Sequence, residues 1–284
     1  MSDDTVTGLP HVETQLNYLV DKTERPVAYM YTPPPGTPPR TGRYAPFPVT
    51  IYDGRPLLSQ ISLDTHGFAL TRHETGVTNF YDENEVRAVY YPEVERLVKE
   101  ATGAVKVLVF DHNVRCKPMS ERGENGAREP VRSAHNDYTL RSGPQRVRDL
   151  LDAAEAEERL KHRFMEINVW RPIRGPVQEA PLAVCDARSM VQEDFVAMDL
   201  IYRDRTGEVY SVSFNPNHRW FYFPRMQKNE ALLLKCYDSM SDGRARFTAH
   251  TAFEDPTSPP DAPPRESIEA RTLVFFAPEG KAKS

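Results

Sequence analysis

The hydrophobic and polar positions follow a helical period in part of the first half of the chain. After Pro92, apolar residues recur at helical spacing as far as Ala101, and Gly103 stands where helices commonly end. A second helix with one charged side is predicted from about 144 to 162. Between the two, the apolar and β-branched segment 104–110 predicts a buried strand.

From Phe164 onward the period changes to two, which is typical of strands that bury one face. At least six strands are predicted from the short segments FMEINVW, PLAVCD, AMDLIYRD, GEVYSVSF, RWFYFP, ALLLKCYD and ESIEARTLVFF. The third and fourth predict a hairpin whose Gly207 adopts a positive φ. Many short strands preceded by helices favour a mainly β fold with supporting helices, a sandwich or barrel. A doubly wound sheet is disfavoured because helices do not alternate with these strands.

The 284 residues are predicted to form one domain. We expect an N-terminal extension with loops over 1–60, helices flanking a further strand over 92–163, and the main β core over 164–276. The proline-rich stretches 32–40 and 256–264 are predicted to be loops within this domain. The 25 prolines and 14 glycines interrupt long helices, which again favours a sheet-based core.

Charge and composition exclude several classes of function. The 36 basic and 41 acidic residues give a net charge of −5, so no global basic field attracts nucleic acid or anionic lipid. No apolar run reaches the roughly 18 residues of a membrane span, and the N-terminus lacks signal-peptide features. Cys116, Cys185 and Cys236 are predicted to be buried thiols in a reducing compartment. We therefore expect a cytoplasmic protein without membrane or nucleic-acid partners, and a homodimer as the default oligomeric state.

The tripeptide His135-Asn136-Asp137 is the first candidate metal site. Residues i and i+2 of an extended segment project to the same side, so the imidazole and the carboxylate can reach one ion. Two histidines and one carboxylate form the facial triad of non-haem Fe(II) oxygenases, which leaves coordination positions for a co-substrate and O₂.

A double-stranded β-helix oxygenase needs its second histidine on a late strand, followed by an arginine on the next strand. His250 follows the strand ALLLKCYD and precedes a proline-rich loop and then Arg265. Arg265 can pair with the distal carboxylate of 2-oxoglutarate, and Ser267 can donate to the same group. His218 is the rival third ligand, but it would leave too many strands before Arg265.

Long segments of the chain resemble the CmcJ/NvfI family of oxidoreductases, which includes fungal hydroxylase/desaturases of the AsaB type. They are VRSAHNDYT, INVWRPIRGPVQEAPLAVCDARS, NHRWFYFPRMQKNEALLLKCYDS, HTAFEDP and PRESIEARTLVF, and the similarity begins near residue 60. The resemblance implies a jelly-roll (double-stranded β-helix) core, mononuclear Fe(II), 2-oxoglutarate and O₂ as co-substrates, and a small-molecule substrate in secondary metabolism.

Carried over onto this sequence, the resemblance implies that His135, Asp137 and His250 bind the metal and that Arg265 binds the co-substrate. Arg271 shares a strand face with Arg265 and Ser267 and is the alternative partner of the co-substrate carboxylate. The reaction stays open between hydroxylation, desaturation and oxidative rearrangement.

Candidate substrate contacts are less specific. Asn168 and Trp170 share one face of a predicted strand, and Arg171 and Arg115 are candidate anion contacts. Tyr138 is predicted to point away from Asp137 and to be structural. Two other functions stay open, namely an iron-dependent oxygenase that does not use 2-oxoglutarate and a non-catalytic, cupin-like binding protein.

Overall fold

Two β-sheets of nine and five strands dominate the computed structural model, which describes residues 6–278. In chain order the strands are β1 (His11–Leu19), β2 (Val27–Tyr29), β3 (Tyr44–Asp53), β4 (Phe68–Arg72), β5 (Lys106–Arg115), β6 (His135–Asn136), β7 (Phe164–Pro172), β8 (Leu182–Cys185), β9 (Phe195–Ile201), β10 (Thr206–Val212), β11 (Trp220–Tyr222), β12 (Glu230–Asp238), β13 (His250–Ala252) and β14 (Ser267–Phe275). The α-helices are α1 (Glu83–Glu85), α2 (Tyr91–Thr102), α3 (Lys117–Glu121), α4 (Ser142–Leu150) and α5 (Ala153–Arg159).

The order of strands is β1-β3-β11-β8-β13-β6-β10-β9-β2 in the large sheet and β4-β12-β7-β14-β5 in the small one. Buried side chains from both sheets, such as Trp170, Val184, Phe221 and Leu234, pack in one cluster between them. This arrangement confirms the predicted mainly β, jelly-roll fold with supporting helices. No helix within residues 6–278 is both long and apolar enough to cross a membrane.

Helix α2 matches its sequence prediction closely. Pro92 lies in its first turn, where a missing N–H costs little, and Gly103 ends it in the left-handed conformation with φ 72°. Val94 and Val98 are fully buried and join a second apolar cluster with β14 and β5. The helix therefore covers the outer face of the small sheet.

Other predictions need correction. The single helix expected over 144–162 is two helices, because Leu151 is extended and Asp152 caps the start of α5 with ψ 143°. Strand β5 lies at the edge of the small sheet and is mostly half-buried rather than buried. The predicted hairpin exists as β9 and β10, but Gly207 pairs within β10 opposite Leu200 instead of forming the turn.

The segment expected to be an extension with loops contains β1, β2 and β3. Strand β1 pairs with β3 over its whole length and buries Val12, Leu16 and Tyr18, which alternate along it. Thr14, a polar residue on the same face, interrupts this alternation in the sequence. The large sheet thus begins in the N-terminal part of the chain.

The strands that carry the candidate ligands are neighbours in the two sheets. In the large sheet β6 pairs with β13, and His135 is directly opposite His250. In the small sheet β7 pairs with β14, so that Asn168 is opposite Arg271 and Pro172 is opposite Ser267. The sequence-distant motifs meet because both sheets turn these residues toward the space between them.

Candidate metal and co-substrate site

The side chains of His135, Asp137 and His250 converge. One ligand atom from each lies within 4.8 Å of the others, and no further group of this kind occurs among the described residues. The two imidazole rings are 4.4 Å apart between centroids, and Nε2 of His135 is 3.6 Å from Oδ1 of Asp137. Two nitrogens and one carboxylate oxygen on one side suit a divalent iron ion with open positions.

Backbone carbonyl groups orient both imidazole rings. Nδ1 of His135 donates to the carbonyl oxygen of Ser133 at 2.8 Å, and Nδ1 of His250 donates to that of Thr248 at 3.3 Å. Because a carbonyl oxygen only accepts, each ring carries its proton on Nδ1 and keeps the lone pair of Nε2 for a metal. Each donor and its acceptor are two residues apart, so the local extended backbone sets this geometry.

The carboxylate of Asp137 is held by one of its two oxygens. Its Oδ2 accepts a hydrogen bond from Nδ2 of Asn168 at 2.7 Å and another from Nε of Arg271 at 3.2 Å. Oδ1 faces His135 and is the oxygen that can bind a metal. Asn168 and Arg271 therefore position a metal-ligand candidate, as the outer contacts of metal sites commonly do.

The electrostatics keep His135 and Asp137 ready to bind a cation. Burial, reinforced by the neighbouring His250 ring, lowers the pKa of His135 to about 3, so the ring is neutral near pH 7. Burial opposes ionisation of Asp137, but Arg271 and the two histidines hold the pKa of this carboxyl below its usual range. Neutral imidazoles and an ionised carboxylate are the forms that coordinate metals.

We expect Asn168→Ala to weaken Fe(II) binding about tenfold, since the substitution removes the 2.7 Å hydrogen bond that orients Asp137. Anaerobic Fe(II) titration of the variant measures this change. A matched control is Asn113→Ala, which removes another buried amide on the small sheet that does not contact Asp137. Equal affinity of Asn168→Ala and the unsubstituted protein would contradict the positioning role.

Arg265 and Ser267 lie just before and at the beginning of β14, on the same side of the backbone. The Arg265 side chain is 3% exposed and its guanidinium is 5.6 Å from the ring centroid of Trp170. Nη1 donates to the carbonyl oxygen of Ala180, but Nε of Arg265 and Oγ of Ser267 are buried without a hydrogen-bond partner among the described residues. Burial and the nearby Arg115 lower the pKa of Arg265 to about 9.

Two buried donors without acceptors, together with a buried cation, raise the free energy of the folded protein unless a ligand binds them. A carboxylate accepts from both a guanidinium and a hydroxyl, so these residues fit the distal carboxylate of 2-oxoglutarate. Arg271 fits this role poorly because its guanidinium already contacts Asp137, Asp111 and Glu269 at 2.9–3.2 Å. The contacts favour Arg265 over the alternative that the sequence left open.

A cavity of about 720 Å³ opens on His135 and Asp137. Its volume is within the range of small-molecule sites. Tyr138 contributes to its lining, and the side chain is buried in the apolar cluster between the two sheets, as expected of a structural residue.

The candidate substrate contacts divide between two faces of β7. Asn168 and Trp170 are on the inner face, where Asn168 holds Asp137 and buried Trp170 packs against Arg265. Arg171 is on the opposite face, where its guanidinium donates to the carbonyl oxygens of His73 and Lys228. Arg171 therefore faces away from Asn168 and Trp170, because adjacent residues of a strand point to opposite faces.

His218, the rival ligand, belongs to a separate buried network. Its Nε2 is 3.0 Å from Oδ2 of Asp194, and its Nδ1 is 3.2 Å from the hydroxyl of Tyr18, which accepts from Nε1 of Trp220. Burial lowers the pKa of His218, although Asp194 opposes this shift. Burial also lowers the pKa of His66, His73 and His112.

These buried histidines predict that the metal-free protein loses stability as the pH falls below about 6.5. Their folded-state pKa values are lower than the unfolded one of about 6.5, so the unfolded chain binds more protons in acid. The stability is complete above that pH and declines below it, by at most about 1.4 kcal/mol per pH unit for each histidine. Urea unfolding at pH 7.5 and 5.5 measures the decline. His218→Gln should reduce it and the control His11→Gln, at an exposed position, should not.

Sequence reasoning missed the carbonyl groups of Ser133 and Thr248 and the positioning role of Asn168. It also missed two cavity-lining arginines, Arg40 and Arg128. No local pattern marks Asn168 or Arg40, because each contacts the site from a distant part of the chain. The two carbonyl acceptors are different, because each belongs to the residue two positions before a ligand histidine.

Comparison with known proteins relates the chain to one group of oxidoreductases. The sequence profile of a family described as an oxidoreductase/YMDC permease-like domain matches residues 16–275. The hydroxylase/desaturase efuI of Hormonema carpetanum is 36% identical, over 94% of this chain and 96% of the relative. The Fe(II)/2-oxoglutarate-dependent dioxygenase nvfI of Aspergillus novofumigatus is 34% identical, over 89% of this chain and 92% of the relative.

A solved structure supports the same relationship. The iron and alpha-ketoglutarate-dependent endoperoxidase NvfI superposes with a TM-score of 0.84 at 30% identity, covering 94% of this chain and 98% of that chain. Similarity of sequence and of fold thus extends over nearly the whole chain. The chain belongs to the CmcJ/NvfI family of Fe(II)/2-oxoglutarate-dependent oxidoreductases, the family that its sequence motifs resemble.

Proposed function

We propose that this protein is a non-haem Fe(II)- and 2-oxoglutarate-dependent dioxygenase that oxidises a small molecule of secondary metabolism. The observation that carries the proposal is the convergence of His135, Asp137 and His250, whose free ligand atoms lie within 4.8 Å of one another. Relatives named hydroxylase/desaturase and dioxygenase support the same chemistry. Hydroxylation, desaturation and oxidative rearrangement are all reactions of this class.

The metal ligands in this proposal are Nε2 of His135, Nε2 of His250 and Oδ1 of Asp137. The carbonyl acceptors at Ser133 and Thr248 support this assignment, since they fix the tautomer that leaves each Nε2 unprotonated. Asn168 and Arg271 hold the second oxygen of Asp137 and favour binding through one oxygen. Binding of an iron ion through one oxygen of Asp137 would leave coordination positions for 2-oxoglutarate and O₂.

Arg265 and Ser267 bind the distal carboxylate of 2-oxoglutarate in this proposal, with Trp170 packing beside the arginine. Their buried, unpartnered Nε and Oγ atoms support the assignment. An iron ion bound here would supply, together with 2-oxoglutarate and O₂, the chemistry that oxidises a C–H bond. The protein orients the co-substrate, and the cavity beside His135 and Asp137 positions the substrate carbon.

Anaerobic addition of Fe(II) and 2-oxoglutarate to the metal-free protein tests the proposal. We expect a weak visible charge-transfer band, and then one succinate for each O₂ consumed when a screen of small molecules includes a substrate. Consumption of O₂ without succinate would favour an iron oxygenase that does not use 2-oxoglutarate. Failure to bind Fe(II) at all would favour a non-catalytic binding protein.

We also propose that the protein acts in the cytoplasm. Cys116, Cys185 and Cys236 are buried free thiols, and a reducing compartment keeps such thiols reduced. Fluorescence microscopy of a tagged full chain in its native cell tests this location. Accumulation in a secretory compartment would contradict it.

A further inference from the structure

The charges around the cavity differ in sign from those of the whole protein. The chain has a net charge of −5, yet seven arginines and four carboxylates line the cavity. A cation excess beside a metal site in an acidic protein raises the local concentration of anions and favours their binding. The excess of arginines over carboxylates therefore indicates an anionic ligand.

The cavity carboxylates are already paired. Asp111 and Asp137 contact Arg271, Glu208 contacts Arg141, and Asp149 contacts Arg146. These ion pairs leave the other cavity arginines without an acidic partner.

Three of these arginines, Arg40, Arg115 and Arg128, form what we call the cleft arginines. No carboxylate oxygen within residues 6–278 lies within 4.0 Å of any of their guanidinium groups. Arg40 donates to Oγ of Ser133, two residues before His135, and Arg115 donates only to the carbonyl oxygen of Glu129. The guanidinium of Arg128 has no partner among the described residues, and its backbone is bridged to Arg115.

Like charges at adjacent positions repel and are costly to bury without a counter-ion. Arg115 is half-buried, and burial lowers its pKa; Glu269 and Asp137 oppose this shift, whereas Arg271 and Arg128 add to it. An oxyanion between the two guanidinium groups would remove this repulsion and accept several charge-assisted hydrogen bonds. The cleft arginines are thus built for an anionic group close to the metal ligands.

Part of the cavity lining is apolar. Met30, Met198, Leu200 and Phe110 contribute to it, and Met30 is 41% exposed although it is a large hydrophobic residue. Strand β2 pairs with β9 so that Ala28 is opposite Leu200, which forms a continuous apolar surface. This surface suits the hydrocarbon part of a ligand.

We propose that the substrate is an organic acid whose carboxylate binds the cleft arginines, chiefly Arg115 and Arg128, while its apolar body lies against Met30, Met198 and Leu200. This inference rests on the proposed function and adds the chemical class of the substrate. It assigns the cleft arginines to the substrate and Arg265 with Ser267 to 2-oxoglutarate. The two anions therefore occupy neighbouring cationic sites, since Arg115 of β5 is opposite Ser267 of β14.

The probe for the experiment is 1-pyrenebutyrate, compared with its neutral methyl ester. Both are titrated by fluorescence into the anaerobic protein with Fe(II) and saturating 2-oxoglutarate, so that the co-substrate site is filled. We expect the acid to bind at least about tenfold more tightly than the ester, and less tightly as salt increases. Equal affinity for the acid and the ester would overturn the proposal.

Arg115→Gln and Arg128→Gln should each weaken binding of the acid about tenfold and leave that of the ester unchanged. The control Arg87→Gln removes the same charge from an exposed helical position outside the cavity and should change neither. An equal loss of affinity for the acid in Arg87→Gln would show that net charge alone causes the effect. That result would reject a specific site. Weaker binding of 2-oxoglutarate in Arg115→Gln or Arg128→Gln, with unchanged binding of the acid, would assign these residues to the co-substrate instead.

The charge-transfer band separates this inference from the proposed function. A band together with equal binding of acid and ester rejects only the substrate class. If the band is absent but the acid binds more tightly than the ester, an anion site exists and the oxygenase assignment fails. The claim that the anion is a substrate then fails as well.

Discussion

His250→Ala is expected to abolish Fe(II) binding, with a loss of affinity larger than about 100-fold. The variant keeps only His135 and Asp137 as ligands, and loss of a direct ligand exceeds the 10- to 100-fold effect of outer contacts. Anaerobic Fe(II) titration with a competing chelator measures the affinity. Because His250 is 3% exposed, His135→Ala at a half-buried position is a second variant with the same expected outcome.

His218→Ala is the matched control, since His218 is the rival that sequence order could not fully exclude. Its partners are Asp194 and Tyr18, so we expect a less stable protein that still binds Fe(II). Circular dichroism and urea unfolding of each variant separate loss of fold from loss of a ligand. Retained Fe(II) binding in folded His250→Ala together with loss in folded His218→Ala would reverse the assignment.

Arg265→Met is expected to weaken 2-oxoglutarate binding by about 100-fold or more while Fe(II) binding is retained. The substitution keeps an unbranched side chain but removes the cation, and an unpaired buried carboxylate costs about 3–5 kcal/mol. Ser267→Ala removes one hydroxyl donor and should weaken binding about tenfold. Titration of the charge-transfer band with 2-oxoglutarate measures both changes.

Two other arginines of the same strands serve as controls. Arg171→Met removes a buried arginine from the opposite face of β7 and should lower stability without changing 2-oxoglutarate affinity. Arg271→Gln should weaken Fe(II) binding instead, because Arg271 contacts Asp137. If Arg271→Gln rather than Arg265→Met weakens 2-oxoglutarate binding, Arg271 is the co-substrate anchor.

Local patterning determined the parts of the fold that depend on contacts close in sequence. Helix α2 follows from apolar spacing, Pro92 and Gly103, and β9 with β10 follows from two alternating segments joined by a short connection. Strands β1 and β3 were missed because they pair within the large sheet, and their mixed sequences carry little signal by themselves. The break between α4 and α5 depends on the backbone at Leu151, where apolar periodicity alone predicts a continuous helix.

For the site, the amino-acid sequence by itself determined the candidate metal ligands and their order along the chain. Two side chains in an HxD motif share a side, the order of strands indicated His250 and Arg265, and the family resemblance implied the same residues. Alternation along β7 already implied that Arg171 faces away from Asn168 and Trp170, since a strand has a period of two. That implication is independent of the rest of the fold.

Only the tertiary structure decided which groups complete the site. Asn168 and Arg271 contact Asp137 from the other sheet. They are 31 and 134 residues away from it in sequence. The same holds for the cleft arginines, which come from three separate segments and share one cavity. Hydrogen bonds and charge interactions depend on distance in space, and a linear pattern specifies that distance only within a single helix or strand.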